Sequence, residues 1–274
     1  MATANLHARV HATIVTGRRV LAPGVVLVTL EAPQLAQATR PGQYLMAIPA
    51  AGESAATALA IYEAEGKLAS ILFFITGKRT RELAELREGE RLDVLGPLGN
   101  GFDCSGGERD VAIVAGGVGI ASVLLCAQRL LDGGARVRLF YGARTRELLV
   151  DAQRFAHAGC ELILATDDGT LGRRGFVTDA LAGSRKPEAI YACGPTPMLR
   201  GVARFAAEFG VRAQLSLEET FGCGVGGCWG CVVPIAARSA QAPSFPPAEL
   251  GGSDVVYARI CKEGPVFWAH DLRW

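Results

Sequence analysis

The sequence predicts three consecutive units: an antiparallel barrel or sandwich of short strands, a parallel α/β unit, and a small segment rich in cysteine and glycine. Three observations carry this. Up to about residue 102, short β-prone or alternating runs are separated by turn residues, a spacing typical of antiparallel all-β folds. From Asp110 the hydrophobic period changes and apolar strand runs alternate with helical runs, the pattern of βαβ units around a mainly parallel sheet. After Leu217 both patterns stop, and three cysteines fall within nine residues.

In the first unit, residues 9–15, 24–31, 43–48, 57–63 and 67–75 read as strands. Ala22-Pro23-Gly24, Arg40-Pro41-Gly42 and Glu65-Gly66 supply the turns between them. Residues 80–86 read as a short helix with Thr80 as N-cap and Glu82 and Glu85 in its first turns. A last strand at 92–95 runs into the glycine-rich loop Gly96-Pro97-Leu98-Gly99-Asn100-Gly101. In the second unit, strands are expected at 111–115, 136–141, 161–166 and 189–193, and helices at 121–132, 146–155, from 175 to 181, and 197–209. The third unit holds the cysteines, a loop with Pro243, Pro246 and Pro247, and a short strand at 254–259.

The bulk arithmetic agrees. At 274 residues, half of them hydrophobic, the chain can bury about two cores. Its 28 basic and 27 acidic residues leave a net charge of +1, without the basic field that phosphate-backbone binding needs, so nucleic acid is not an expected partner. Glycine is in excess, 34 residues or about 12% against a usual ~7%. Residues 111–128 carry no charge, but Gly116, Gly117 and Gly119 interrupt them, which suits a strand, turn and helix better than a membrane span. The first 19 residues show no apolar run of the signal-peptide kind, so a cytoplasmic, reducing location is expected. His7, His11, His157 and His270 have no metal-ligand spacing and are expected at the surface.

Two motifs carry chemistry. Cys223-x4-Cys228-x2-Cys231, followed after 29 intervening residues by Cys261, has the plant-type spacing for a [2Fe–2S] cluster. Interleaved Gly222, Gly224, Gly226, Gly227 and Gly230 would let backbone N–H groups approach the sulfurs. Structural zinc, which usually shows two C-x2-C pairs, and inert buried thiols are the rival readings. The second motif, Ala115-Gly116-Gly117-Val118-Gly119-Ile120-Ala121, places a glycine-rich turn between the first strand and first helix of the α/β unit, where free N–H groups face a pyrophosphate. Gly142-Ala143-Arg144, Thr166-Asp167-Asp168-Gly169 and Cys193-Gly194-Pro195 end the next three strands at the same carboxyl edge, where such sheets bind ligands. A plain strand–helix turn, a buried thiol and solvated charges are the bland alternatives for these stretches. Glu218-Glu219 lies either near a cofactor or at a simple element end.

The order of these parts resembles the electron-transfer subunits of dihydroorotate dehydrogenase B, in the ferredoxin reductase superfamily. The resemblance spans nearly the whole chain: Pro41-Gly42-Gln43-Tyr44, the 96–102 loop, Thr166-Asp167-Asp168-Gly169, Tyr191-Ala192-Cys193-Gly194-Pro195, Ser216-Leu217-Glu218-Glu219, and Ile260-Cys261-Lys262-Glu263-Gly264-Pro265-Val266-Phe267. It implies an FAD-binding β-barrel over residues 1–103, a ferredoxin-reductase-like NAD-binding unit over 104–215, and an iron–sulfur segment over 216–274. The NAD site would use Gly116, Gly117, Gly119, Arg144, Asp167, Asp168, Cys193, Gly194 and Pro195. The cluster would sit on Cys223, Cys228, Cys231 and Cys261. Electrons would pass between NAD and a separate flavin-containing catalytic subunit in a heterotetramer, as part of pyrimidine biosynthesis. No residue of this chain is expected to act on dihydroorotate, and neither nucleic acid nor membrane insertion is expected.

The flavin motifs depart from the family pattern. Thr57-Ala58-Leu59-Ala60 stands where the family has Arg-Pro-x-Ser, Phe73-Phe74 where it has Tyr-Arg, and Gly77-Lys78-Arg79-Thr80 where it has Gly-x-Gly-Thr. Losing a bidentate arginine–phosphate contact should weaken FAD binding, with Lys78, Arg79 and Arg81 as the nearby replacement. The loop between Cys231 and Cys261 is also longer than the family pattern. Two further readings stay open at this point: service to a different multi-subunit oxidoreductase, or a flavin-free relay that keeps only the cluster.

Overall fold

The computed structural model describes residues 8–48, 55–243 and 254–274. His7, Pro246 and Pro247 lie outside the described residues. The first unit is a closed antiparallel barrel, which settles barrel against sandwich. It comprises β1 (Arg9–Ala22), β2 (Val25–Glu31), α1 (Pro33–Ala38), β3 (Tyr44–Ile48), β4 (Thr57–Glu65), β5 (Leu68–Phe74), α2 (Lys78–Ala84) and β6 (Arg91–Leu98). The strand order is β1-β2-β5-β4-β3-β6, and β6 returns to pair with β1. Closure leaves no edge strand, and the interior fills with Val28, Leu30, Leu45, Ile61, Ile71 and Val94.

The second unit has β7 (Asp110–Gly116), a 3₁₀ turn (Gly117–Ser122), α3 (Leu124–Asp132), β8 (Arg136–Ala143), α4 (Ala152–Ala158), β9 (Glu161–Thr166), β10 (Arg173–Arg174), α5 (Val177–Ala182), β11 (Ala189–Cys193), α6 (Thr196–Phe209) and β12 (Arg212–Ser216). The C-terminal part adds β13 (Val232–Ala236), β14 (Val255–Arg259) and β15 (Val266–Trp268). The large sheet runs β10-β9-β8-β7-β11-β12-β15, parallel except for the antiparallel β15, while β13 and β14 pair separately. Val111, Ala112, Ile113, Val114 and Ala115 are all fully buried, as expected for a strand covered on both faces. The order reverses between β7 and β11, so the crevice at their carboxyl ends is a topological switch point.

Glycine allows the close packing behind that crevice. A Cβ on Gly119 would overlap the carbonyl oxygen of Cys193, and one on Gly194 would lie 2.9 Å from the Gly116 nitrogen. The barrel and the sheet then share a core. One apolar cluster runs from Val25, Leu27 and Leu72 of the barrel into Val123, Leu124 and Phe155. Around it, Tyr62 Oη donates to Asp151 Oδ2 at 2.5 Å and Arg154 pairs with Glu63.

Several local expectations change. Thr80 is the third residue of α2, not its cap; Gly77 caps, and Thr80 Oγ1 accepts from the N–H groups of Thr76 and Gly77 at 2.9 and 3.1 Å. Neither Glu82 nor Glu85 lies in the first turn. The expected helix at 121–132 is a 3₁₀ turn followed by α3, because the tighter winding seats Gly119 on β11. The expected helix at 146–155 is a short 3₁₀ turn at Arg146–Leu148 and then α4, broken at Asp151, which takes a left-handed φ of 54° while its carboxylate holds Tyr62. His11 is buried rather than exposed: strand alternation turns it inward, where its ring meets the Gly96 carbonyl at 3.1 Å. His157 and His270 are exposed. The elements α1, β10, β12, β13 and β15 are not expected from the sequence; of these, α1, β10 and β15 are too short for a periodic signal.

Gly119→Ala should lower stability by about 1–3 kcal/mol, the usual cost of forced overpacking, measured by urea unfolding. An unchanged midpoint would show that the turn does not need its contact with β11.

Candidate functional site

Two clefts open at the switch point and share a wall. The first, about 620 Å³, lies between the barrel and the 3₁₀ turn. Thr57, Ala58, Leu59 and Ala60 of β4 form one side, and Phe73, Phe74, Gly77, Lys78, Arg79 and Thr80 the other. Of these, Phe73 is 2% exposed and belongs to the barrel core, so the aromatic face turned to the cleft is that of Phe74. Gly42, Tyr44, Ser122 and the 216–221 stretch add to the lining. The second cleft, about 530 Å³, lies along the carboxyl edge of the sheet, between Gly116, Gly117, Arg144, Asp167 and Pro195. Phe74, Val118 and Glu218 line both clefts.

The other predicted nucleotide residues play supporting parts. Gly119 and Gly194 make the close approach between β7 and β11. Asp168 spends its carboxylate on its own turn, accepting from Thr170 N and Oγ1 at 3.0 and 2.7 Å, which holds its pKa below the usual range. Cys193 is fully buried behind the shared wall, and its thiol faces Glu218 Oε1 at 3.4 Å. Burial pushes the Glu218 carboxyl up. It pushes the Cys193 thiol up too, helped by the adjacent Glu218 charge. Of the alternatives for Glu218, the structure therefore selects the one beside the clefts.

The first cleft suits a phosphate-bearing aromatic ligand. Its volume is in the range of cofactor pockets, and Thr57 Oγ1 is buried without a hydrogen-bond partner. Its lining cations are Lys78 and Arg79. The Arg79 guanidinium reaches across the mouth to the Ala56 carbonyl at 3.3 Å, bringing positive charge to the strand that lacks its own.

The cysteine segment sits where barrel and sheet meet. Tyr44 Oη of β3 lies 2.8 Å from the Gly224 carbonyl and 2.7 Å from that of Cys261, so one phenol donor is shared by both arms of the segment. Asn100 joins the same junction: its Nδ2 donates to the Glu263 and Val266 carbonyls, and its Oδ1 accepts from Val266 N. Gly99 must be glycine there, at φ 76° with Pro265 Cδ 2.5 Å from where a Cβ would stand.

Among the described residues no three His, Cys, Asp or Glu side chains converge on a single-ion site. The four cysteines instead associate two by two through the backbone: the Cys228 N–H donates to Cys223 Sγ and the Cys261 N–H to Cys231 Sγ, each at 3.4 Å. That arrangement fits a two-iron group with two protein ligands on each iron. The surroundings fit as well. Cys223 Sγ accepts from the N–H groups of Gly227, Cys228 and Val225 at 3.2, 3.4 and 3.5 Å. Burial raises its pKa, but these donors outweigh burial and bring it to about 6. Cys261 is pushed up to about 12 by burial, the Cys231 hydrogen bond and the neighbouring thiolates, a crowding of sulfur charge that a bound cation relieves. A Cβ on Gly222 or Gly230 would stand 3.3 or 3.6 Å from Cys228 Sγ. Cys231 and Cys261 are buried and Cys228 is exposed, so the segment opens to solvent on one side.

Sequence reasoning missed Tyr44, Asn100, Arg259 and Trp229 as parts of this region. Tyr44 and Asn100 stood inside the quoted motifs, but their targets, 180 and 166 residues away, left no local signal. Arg259 and Trp229 had none.

Comparison with known proteins follows the same lines. Residues 113–204 match the oxidoreductase NAD-binding domain family. The electron-transfer subunit of dihydroorotate dehydrogenase B (NAD(+)) from Desulforamulus reducens is 33% identical over 93% of this chain and 94% of its own length. The corresponding subunit from Geobacillus kaustophilus is 38% identical over 74% of this chain and 73% of its own. Among solved structures, a chain of the NADH-dependent reduced ferredoxin-NADP oxidoreductase, described for flavin-based electron bifurcation, superposes with a TM-score of 0.80 at 27% identity, covering 96% of this chain and 90% of that one. The ferredoxin reductase of carbazole 1,9a-dioxygenase shares the fold, with a TM-score of 0.63 at 22% identity over 74% of this chain and 67% of its own. No helix among the described residues is long and apolar enough to cross a membrane. With a barrel, a switch-point crevice and a paired-thiol segment in one chain, and relatives of this identity over almost its full length, the chain belongs to the dihydroorotate dehydrogenase B electron-transfer subunit family.

Proposed function

We propose that this chain carries electrons between NAD and a flavin-containing catalytic subunit that oxidises dihydroorotate, with FAD in the first cleft, NAD in the second and a [2Fe–2S] cluster on Cys223, Cys228, Cys231 and Cys261. The supporting observation is the shared wall: Phe74, Val118 and Glu218 belong to both clefts, so ligands filling them meet there. Nicotinamide moves a hydride, a cluster moves single electrons, and a flavin exchanges with both.

The chain's own residues bind, orient and exclude water. The N–H groups at Gly116 and Gly117 and the charges of Arg144 and Asp167 take the dinucleotide's polar parts. Phe176, 67% exposed beside the second cleft, offers a face to its adenine. Arg79 and Lys78 take the FAD pyrophosphate in place of the family's arginine, and Thr57 Oγ1 gains a partner when the cleft is filled. Glu218 lies beside the meeting point with Cys193 behind it, and burial disfavours the charged form of each. On the other side, Cys228 and Val225, 51% exposed, face the partner subunit. The assembly would be a heterotetramer in the cytoplasm, with residues 1–103, 104–215 and 216–274 as its flavin, nicotinamide and cluster units.

Acid extraction of the anaerobically purified protein should release one FAD with two irons and two sulfides per chain. Two irons without FAD, even after incubation with excess FAD, would favour the flavin-free relay, which the Thr57–Ala60 departure otherwise suggests.

Arg79→Ala should weaken FAD binding by about 1.5–3 kcal/mol, the value of a hydrogen bond to a charged group, or roughly 10- to 150-fold, read by flavin release in equilibrium dialysis. Unaltered affinity would remove Arg79 as the phosphate clamp.

Glu218 gives a pH signature. Its folded pKa lies above the unfolded value of 4.5, so ionisation costs the folded state nothing below about that pH and progressively more as pH rises through the folded pKa. Glu218→Gln should gain stability relative to the parent protein across that rise, measured by urea unfolding of the holoprotein at stepped pH. A difference that stays flat with pH would contradict a burial-raised carboxyl.

A further inference from the structure

One guanidinium touches every stretch that carries a thiol ligand. Arg259 Nη1 donates to the Gly226 carbonyl at 2.8 Å, inside the loop between Cys223 and Cys228. Its Cζ stands 4.4 Å over the ring of Trp229, which lies between Cys228 and Cys231. Its backbone on β14 pairs with Val232, next to Cys231, and lies two residues before Cys261. Beyond Cys261 the chain turns back, and Glu263 grips the same guanidinium with both oxygens, at 2.5 and 3.1 Å, while also accepting from the Arg259 backbone N–H at 2.8 Å. The two side chains are only 12% and 7% exposed.

Trp229 adds a conformational argument. It has a left-handed φ of 57°, shared with no other non-glycine residue except Asp151 among the described residues. A bulky side chain keeps that conformation only where surrounding contacts hold it, and the stacked guanidinium is such a contact. Lysine could not replace this arrangement: three directions of hydrogen bonding and a flat stacking face need the planar fork.

We propose that Arg259 is the clasp of the cluster segment, a positioning residue that ties its three ligand-bearing stretches together and sets a fixed positive charge beside the Cys231–Cys261 pair, with Glu263 as the counterweight that limits that charge. The inference rests on the cysteines being cluster ligands and adds residues that control how firmly the cluster is held and how readily it accepts an electron. A cation beside the sulfurs favours the more negative, reduced form; a carboxylate disfavours it.

The test uses the holoprotein and three variants, Arg259→Gln, Arg259→Lys and Glu263→Gln. Three readouts apply: iron loss to a chelator, the midpoint potential by EPR-monitored redox titration, and circular dichroism to confirm the fold. Arg259→Gln should lose iron at least tenfold faster and shift the one-electron equilibrium at least threefold toward the oxidised form, about 30 mV downward at 59 mV per decade. Glu263→Gln should shift the potential upward, and Arg259→Lys should keep the potential near that of the parent protein while still losing iron faster. Opposite shifts from the two Gln variants are something a purely structural ion pair would not produce. Potentials and chelation half-lives unchanged in Arg259→Gln, or shifts of the same sign in both, would overturn the clasp while leaving the cluster reading intact. Should Arg259→Gln fail to fold, Trp229→Leu, which removes the stacking face alone, must still speed iron loss, or the clasp is wrong. A parent protein without iron would overturn both readings together.

Discussion

The contact of Gly119 with the Cys193 carbonyl governs the architecture. Because no Cβ intervenes, the 3₁₀ turn Gly117–Ser122 can lie directly on the end of β11. From there it packs against β4 and β5 of the barrel as well as β7, β8 and β11 of the sheet. The same few residues therefore fix where barrel and sheet meet and line both clefts. Had the turn stood one side-chain radius further out, Val118 could not have formed the wall common to the two pockets. Tertiary approach, more than local helix propensity, explains why a run that looks helical from Ala121 winds tightly before Leu124.

A second junction brings the cysteine segment to this hub. Tyr44 comes from the barrel, Asn100 from the loop leaving it, and Gly264-Pro265 from the connection between β14 and β15. Backbone carbonyls that would otherwise be stranded at the start of β15 find donors in Asn100 and Gln241. The stretches that looked most like family motifs, 96–102 and 260–267, are thus largely each other's contacts. Within the segment, the asymmetry between a buried thiol pair and a more exposed one follows from this seating: Cys231 and Cys261 face the barrel and sheet, while Cys228 faces out.

Much of this was legible in the sequence because it is written in short-range patterns. The charge-free strand β7 with its glycine turn, the alternation after Asp110 and the cysteine spacing each need only neighbouring residues to be read. What escaped detection depends on distant partners. Asp151 breaks a helical run because its carboxylate serves Tyr62, 89 residues away. His11 is inside because β1 alternates and its pairing with β6 sets which face turns inward. Arg259 looked like an ordinary strand residue, since its meaning lies in Gly226, Trp229 and Glu263 together. The Thr57–Ala60 stretch was legible as a departure and the basic 78–81 stretch as its nearby replacement, but which of those cations line the cleft, Lys78 and Arg79, depends on how α2 is placed across it.

The flanks of the large sheet have a further consequence. At one side it stops on β10, two residues that are both arginine and both exposed; at the other it stops on β15, three residues whose Val266 carbonyl is already occupied by side-chain amides. Short, charged or pre-satisfied edges discourage strand-to-strand association. The barrel, being closed, offers no edge at all. For all the continuous apolar strand at the protein's centre, the barrel and the large sheet in this way resist extension by a strand from another chain.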